Sequence, residues 1–298
     1  MNTNIDVFIM LYKPNEKYFS LRESLKMQSI KCNIVEKETI DPKEFNHGTS
    51  RNELVKNTTS PYFIFMTQDA IPYNEYLIEN LLNGLNSDKN ISCAYARQIP
   101  YPNTNAIEKY TREFNYGDKD IIKDKNTETK YGIKNYFCSN VCQIYKRDIF
   151  ESLGGFENNV ILNEDMFYAY KAIQSGYKVL YKSSAKVYHS HNYTLEEYFK
   201  RNFDIGVSQS MMNEEKRKYS IKIDFDSIPS INEGKKLVKN SFCYFLKKLD
   251  IINIFKLFIY SLCKYLGYKK GKNYKSISIK KCKKYSMNPL FFDNIDNY

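Results

Sequence analysis

The sequence has no tryptophan and only three histidines among its 298 residues. Its seven cysteines lack the paired spacing of a zinc ribbon, so we expect reduced thiols rather than disulfides or structural zinc. Residues 1–6 show no basic segment followed by an apolar one, so we expect no signal peptide. The longest apolar stretch, residues 251–263, is interrupted by Lys256 and is too short to span a bilayer. These absences favour a cytoplasmic protein without a membrane-spanning helix.

Aromatic residues and lysines are abundant instead. The chain has 27 tyrosines and 19 phenylalanines, and its 42% hydrophobic and 27% charged residues are typical of a folded protein. The net charge of +11 is unevenly distributed, because residues 235–284 contain 15 lysines, no arginine and one acid, Asp250. That segment carries +14 and the remaining residues carry a net −3. The basic character therefore belongs to the C-terminal part alone.

Apolar runs that end in turn residues alternate with segments of helical spacing. The predicted strands cover residues 7–11, 33–38, 62–66, 91–96, 178–181 and 186–188, and the predicted helices cover 20–27, 51–57, 76–85 and 164–175. This alternation predicts an α/β fold with a mostly parallel sheet. Residues 101–136 have no clear period, and we expect a mobile excursion there.

After residue 226 the composition changes, because apolar residues recur every three to five positions among lysines. This pattern predicts amphipathic helices, and we place the domain boundary so that residues 1–228 form one domain and residues 229–298 a basic amphipathic extension. Such helices suit docking on an anionic membrane surface. A helical cap that packs on the first domain with a solvated basic face is the alternative. The absence of arginine and of an RNA-binding motif disfavours a nucleic-acid partner.

Asp69 follows a buried strand, at the sheet edge where ligands of open α/β sheets collect. A carboxylate at this position can hold Mg²⁺ or Mn²⁺. The alternative is an aspartate that caps the following turn.

Glu164 and Asp165 begin a predicted helix, with Asn163 as the candidate N-cap. The helix dipole and the free backbone N–H groups favour an ionised carboxylate there, as a general base requires. Ordinary acidity at a helix start explains the same pattern.

His189 and His191 follow a short strand, and alternation would direct both imidazoles to the same side. One of them could complete a metal shell. A pair of hydrogen-bonded surface histidines is the alternative.

Ten short segments, taken in order, carry a resemblance to a known family. They are FNHGTSRN (45–52), MTQDAIP (66–72), ARQIP (96–100), FNY (114–116), SNVC (139–142), GGF (154–156), NEDM (163–166), VYHSH (187–191), FKR (199–201) and FDIGV (203–207). The chain resembles the family 2 glycosyltransferases of GT-A fold, and most closely their rhamnosyltransferase-like branch from bacterial polysaccharide synthesis. The resemblance covers residues 6–209.

The resemblance implies a GT-A domain, a Rossmann-like nucleotide-diphospho-sugar transferase, with inverting chemistry. It assigns the base to Asp165 and the Mg²⁺ or Mn²⁺ ligands to Asp69 with His191 or His189. Its implied donor-binding residues are Tyr12, Asn15, Glu36, Arg51, Asn52 and Gln68, and its implied sugar- or acceptor-binding residues are Arg97, Gln98, Asn140 and Glu164. The expected reaction moves a deoxyhexose such as L-rhamnose from dTDP-rhamnose to a hydroxyl of a growing surface glycan. A lipid-linked acceptor would suit an enzyme on the inner face of the cell membrane.

Two departures from the family pattern affect these expectations. No acidic base-reading turn lies between Gln28 and Phe45, so Glu36 or Glu38 is the candidate substitute. Gln68 occupies a place that is often acidic, so we expect modest metal affinity.

Two other functions remain alternatives. One is a sugar nucleotidyltransferase, which a Gly-rich loop after the first strand would favour, and the other is a noncatalytic membrane-docking or scaffold protein of this fold.

Overall fold

The computed structural model describes residues 5–218 and 230–293. The strands in these ranges are β1 (Ile5–Leu11), β2 (Asn33–Glu38), β3 (Tyr62–Thr67), β4 (Ile71–Pro72), β5 (Ile91–Ile99), β6 (Ile121–Lys123), β7 (Cys142–Lys146) and β8 (Lys178–Tyr188). The helices are α1 (Glu16–Lys26), α2 (Thr49–Lys56), α3 (Leu77–Asn86), α4 (Ala106–Asn115), α5 (Glu128–Tyr131), α6 (Arg147–Ser152), α7 (Glu164–Gln174), α8 (Leu195–Lys218), α9 (Ser230–Lys247), α10 (Ile251–Lys272) and α11 (Ile279–Tyr285). Short 3₁₀ turns lie at Pro42–Glu44, Lys125–Thr127, Gly132–Tyr136, Tyr274–Ser276 and Pro289–Asp293.

The described strands form one mixed sheet in the order β2-β1-β3-β7-β5-β8-β4, and β6 also pairs with β8. Strand β1 is parallel to β2 and β3, and β5 is parallel to β8. Strand β7 is antiparallel to both β3 and β5, so those two strands point the same way. Most strands therefore share one direction, and the predicted α/β fold is confirmed.

Both faces of the sheet are buried, which is why its central strands read as continuous apolar runs. On one face Phe8, Phe63 and Phe65 belong to an aromatic cluster, in which the Phe63 ring stacks on Tyr145 at 5.2 Å. On the other face the alternate residues, such as Val7 and Ile64, belong to an aliphatic core with the buried leucines of α1 and α3. Burial of both faces fixes the strand positions and hence the positions of the loops at their ends.

Two expectations about local structure are wrong. Residues 101–136 are ordered: Asn105 caps α4 by accepting from the Glu108 amide, and Ile107 packs with Phe245 and Leu257 of the C-terminal helices. The strands expected at 178–181 and 186–188 are one strand, β8, whose pairing with β5 is interrupted by a bulge. In both places the order comes from distant partners, which a local period does not reveal.

Helix α10 packs on α8 through close contact between their backbones. A Cβ atom on Gly271 would collide with the carbonyl oxygen of Phe203, and one on Gly267 with that of Phe199. The expected boundary between residues 228 and 229 lies outside the described residues. Within the described ranges, no helix combines the length and apolarity needed to cross a membrane.

The close contact between α10 and α8 predicts that Gly271→Ala destabilises the protein, because the added methyl group would meet backbone atoms that cannot rotate away. We expect the free energy of unfolding in urea to fall by about 1–3 kcal/mol. Gly234→Ala in α9 is the matched control, because a methyl group there would meet no packed neighbour within 4 Å. That substitution is expected to raise stability by up to about 1 kcal/mol through helix propensity. Equal effects of the two substitutions would contradict the packing argument.

Candidate active site

Polar side chains converge where the parallel strands end. Asp69 follows β3, Gln98 lies near the end of β5, and His189 and His191 follow β8. Asn140 lies at the same edge, because antiparallel β7 begins where β3 and β5 end. The carboxyl edge of such a sheet is the usual location for ligands, so this cluster is the candidate active site.

Asp69, His189 and His191 can together hold a cation. Their ligand atoms all lie within 4.8 Å of one another. Asp69 Oδ2 lies 3.6 Å from His189 Nε2 and 3.8 Å from His191 Nε2, and the two imidazole rings meet edge to face. These separations are too long for direct hydrogen bonds, and two imidazole nitrogens with one carboxylate oxygen suit a divalent metal.

A second layer of contacts sets the tautomer of His189. Its Nδ1 lies 2.8 Å from Gln98 Oε1, which also accepts a hydrogen bond from Arg112. Because an amide oxygen only accepts, the proton is on Nδ1, and the Nε2 lone pair faces Asp69. Burial lowers the pKa of His189 well below its usual value and also lowers the pKa of His191. Both imidazoles are therefore neutral, as metal ligands must be.

The Asp69 turn is fixed by groups other than the Asp69 carboxylate. The Ala70 amide donates to the carbonyl oxygen of Thr67, and the Tyr101 hydroxyl donates to the carbonyl oxygen of Asp69 at 2.9 Å. Among residues 5–218 and 230–293, no backbone amide donates to the Asp69 carboxylate. The turn-cap alternative for this aspartate therefore finds no support in the described part of the chain.

Glu164 is held as an anion in the interior. Its Oε1 accepts from Asn140 Nδ2 at 2.8 Å and lies 3.3 Å from Arg51 Nη1, and its Oε2 lies 3.7 Å from His47 Nδ1. Burial opposes ionisation, but the Arg51 guanidinium, together with the His47 ring and the Asn140 hydrogen bond, holds the pKa of Glu164 below its usual value. This carboxylate balances Arg51 and positions Asn140.

Asp165 differs from its neighbour in ionisation. Its Oδ2 accepts from the backbone amide of Asn140 at 2.9 Å, and its Oδ1 accepts from the backbone amide of Met166 at 2.8 Å. Burial and the adjacent Glu164 carboxylate nevertheless raise the pKa of Asp165 to about 7. The expectation that the helix start favours the ionised form is therefore wrong for Asp165, because burial outweighs the two amide hydrogen bonds. A carboxylate with a pKa near neutrality is suited to receive a proton.

Several residues expected to bind the donor also make contacts that hold the scaffold together. Gln68 accepts from the Tyr12 amide and donates to the Tyr12 carbonyl oxygen, both at 2.9 Å, which ties the end of β3 to the end of β1. An acid at this position could not make the second bond. Asn15 caps α1 by accepting from the Lys17 amide. Glu36 accepts from the Tyr18 hydroxyl at 2.8 Å and pairs with Arg22.

Four other residues named above also contact neighbouring parts of the protein: Asn52, Asn140, Asn163 and Arg97. Asn52 exchanges two hydrogen bonds with the backbone of Phe156, and Asn140 Oδ1 accepts from the Tyr145 hydroxyl. Asn163 precedes α7 as expected, but its side chain donates to Ser208 and accepts no capping hydrogen bond from the amides of α7. Arg97 lies near Tyr181, where burial raises the pKa of the Tyr181 hydroxyl and the Arg97 charge partly offsets that rise, whereas Gln98 faces His189. Arg97 and Gln98 therefore have different surroundings.

A cavity of 710 Å³ lies at the end of β1, beside the candidate active site. Its lining comprises residues 10–12, 45–47, 159–161 and 287–291, with Thr39, Pro42, Lys43, Tyr193 and Arg201. Arg201 and His47 lie in segments that the family resemblance includes, but neither was expected in the site. Residues 287–291 carry no motif, so no signal in the sequence could have found them.

Comparisons with known proteins agree with this geometry. The family described as "Glycosyl transferase family 2" matches residues 39–154. The O-antigen chain rhamnosyltransferase WbaN of Salmonella anatum is 39% identical over 257 residues, which cover 86% of this chain and 78% of WbaN. The O-antigen chain rhamnosyltransferase RfbN of Salmonella typhimurium is 40% identical over 257 residues, covering 86% of this chain and 79% of RfbN.

A solved structure supports the fold. The mannosyltransferase PcManGT from Pyrobaculum calidifontis, in complex with GDP-Man and Mn²⁺, superposes with a TM-score of 0.52 at 10% identity, covering 98% of this chain and 86% of that one. Its GT-A fold is the fold observed here, and enzymes of this fold commonly use a divalent metal. The chain therefore belongs to glycosyltransferase family 2 and is a glycosyltransferase of its rhamnosyltransferase-like group.

Proposed function

We propose that the enzyme transfers a deoxyhexose, as L-rhamnose from dTDP-rhamnose, to a hydroxyl of a growing surface glycan with inversion at the sugar carbon. The names of the two relatives support the choice of sugar and of an O-antigen chain as the acceptor. The sugar nucleotidyltransferase and noncatalytic alternatives lose their basis, because both relatives are rhamnosyltransferases and no Gly-rich loop follows β1.

One observation carries this proposal. Two adjacent residues, Ser139 and Asn140, connect the metal triad to Asp165. Ser139 Oγ accepts from Gln98 Nε2 at 3.0 Å, and the backbone amide of Asn140 donates to the Asp165 carboxylate. Gln98 in turn orients His189. A site that holds a cation for a leaving diphosphate and a base for an acceptor hydroxyl is suited to a single displacement.

In the proposed mechanism, Asp165 takes the proton of the acceptor hydroxyl while the hydroxyl oxygen bonds to the sugar carbon. The bond from that carbon to the diphosphate oxygen breaks, and the diphosphate leaves on the opposite face, which inverts the configuration. Mg²⁺ or Mn²⁺ bound by Asp69, His189 and His191 would neutralise charge on the diphosphate. Glu164 keeps its charge throughout, because the Arg51 guanidinium and the Asn140 side-chain amide remain beside it.

Asp165→Asn tests the base. We expect kcat to fall about 10²–10⁴-fold, because the amide cannot accept the proton, while the donor KM stays unchanged. In the native enzyme, kcat should fall as pH drops below about 7, because protonation of Asp165 removes the base. Steady-state transfer rates at several pH values provide the measurement.

Asp148→Asn is the matched control, because Asp148 occupies the second position of α6, as Asp165 does in α7. Unlike Asp165, Asp148 is exposed. It should leave both kcat and the pH profile unchanged. A near-native kcat in the Asp165 variant would rule out this assignment.

Gln98→Leu tests the metal site without removing a ligand. Loss of the amide oxygen frees His189 to rotate, so Mn²⁺ affinity measured by calorimetry should weaken about 10–100-fold. Asp69→Asn should weaken it further, because a charged ligand is lost. Asp118→Asn, an exposed acid outside the triad, should bind Mn²⁺ like the native protein. Native affinity in both site variants would place the ion elsewhere.

We also propose that α10 docks on an anionic membrane surface, where a lipid-linked acceptor would lie, on the inner face of the cell membrane. Exposed apolar residues follow one face of α10 at spacings of three and four, with the unburied fraction of each in parentheses: Ile251 (76%), Phe255 (68%), Phe258 (53%), Leu262 (56%) and Tyr265 (57%). Leu257, Gly267 and Gly271 lie on the packed face. Exposed Lys247, Lys248, Lys256 and Lys269 complement anionic lipid headgroups.

Phe255→Ser should weaken binding to phosphatidylglycerol-containing vesicles about tenfold or more, because a phenylalanine no longer enters the apolar layer. Vesicle flotation provides the measurement. Phe19→Ser, at a similarly exposed phenylalanine on α1, should bind like the native protein. A native protein that self-associates and does not bind vesicles would show that a second copy covers this face.

A further inference from the structure

The segment at residues 286–292 lies across the cavity beside the active site. Residues 287–291 form one wall, and residues 10–12 with Thr39, Pro42 and Lys43 lie among the residues that line the remainder. The C-terminal extension therefore contributes directly to a space that opens at the end of β1.

A buried carboxylate on α8 holds this segment in place. Asp204 accepts three hydrogen bonds from it: from Ser286 Oγ at 2.6 Å, from the Met287 amide at 3.0 Å and from Asn288 Nδ2 at 3.1 Å. Phe292 is buried against Phe203, with ring centroids 6.2 Å apart. Hydrogen bonds and apolar burial thus fix both ends of the segment.

The same turn of α8 also directs a cation toward the active site. Arg201 lines the cavity three residues before Asp204. His47 and Tyr193 line it as well, and His47 lies 3.7 Å from Glu164 while the Tyr193 ring stacks on that of His191. Arg201 therefore lies in a cavity that adjoins the metal triad and the Glu164 cluster. The segment adds mostly apolar side chains to the lining, among them Pro289, Leu290 and Phe291.

This distribution of charge matches a nucleoside diphosphate. The apolar wall and the aromatic rings of Tyr12 and Phe45 suit a base, and Arg201 and Lys43 suit phosphate oxygens. A volume of 710 Å³ lies within the range of small-molecule sites.

We infer that residues 286–292 form the outer wall of the donor-nucleotide pocket and that Asp204 is the positioning residue that holds this wall in place. This inference rests on the proposed use of a nucleotide-sugar donor. It gives the C-terminal extension a role in donor affinity that is separate from docking on a membrane. Substitutions in the wall should therefore change donor binding while the chemical step is retained.

Two variants of the full-length protein test the wall. Leu290→Asp places a negative charge on the cavity surface, so binding of dTDP, UDP and GDP with Mn²⁺, measured by calorimetry, should weaken at least tenfold. Ser286→Ala removes one hydrogen bond to Asp204 and should raise the donor KM about threefold to tenfold with kcat retained. Melting temperatures of both variants separate this effect from unfolding.

The controls are matched in residue type and region. Ile279→Asp adds the same charge to α11, and Ser276→Ala removes a serine hydroxyl that donates to the Asn273 carbonyl oxygen within its own turn, so both should bind like the native protein. Native affinity in Leu290→Asp and Ser286→Ala, with nucleotide binding by the native protein, overturns the inference and leaves the proposed function intact. A native protein that binds none of the three nucleotides overturns both.

Discussion

The active site depends on a pair of adjacent residues, Ser139 and Asn140, that lead into the reversed strand β7. Ser139 accepts from Gln98, which orients His189, and the Asn140 amide donates to Asp165. Because β7 runs antiparallel between β3 and β5, its start lies at the edge where both of those strands end. One reversal of chain direction therefore connects the proposed metal ligands to the proposed proton acceptor through hydrogen bonds.

The neighbouring acids Glu164 and Asp165 take opposite roles because their surroundings differ. Glu164 faces the Arg51 guanidinium and accepts a hydrogen bond from Asn140, and these contacts keep it ionised although it is buried. Its fixed negative charge, together with burial, raises the pKa of Asp165 to about 7. Glu164 therefore helps to raise the pKa of Asp165, and of these two acids only Asp165 is suited to exchange a proton near neutral pH.

Much of the fold could be predicted because buried strands and capped helices leave local patterns. The runs at β1 and β3 are apolar throughout because both faces of the sheet are covered. Residues 101–136 leave no such pattern, since Ile107 of α4 is ordered by Phe245 and Leu257, which are distant in sequence. The roles of polar side chains were equally hidden: Gln68 bonds the backbone of Tyr12, which only the pairing of β1 and β3 brings near.

The sequence by itself determined the α/β alternation, the family resemblance, the position of Asp69 after a strand and the basic character of the C-terminal helices. Each of these is a property of neighbouring residues, so it survives without knowledge of the fold. The tertiary structure alone decided the tautomer of His189, the raised pKa of Asp165 and the contact of residues 287–291 with the cavity. These features depend on burial and on atoms that are far apart along the chain, and only the packed fold brings those atoms together.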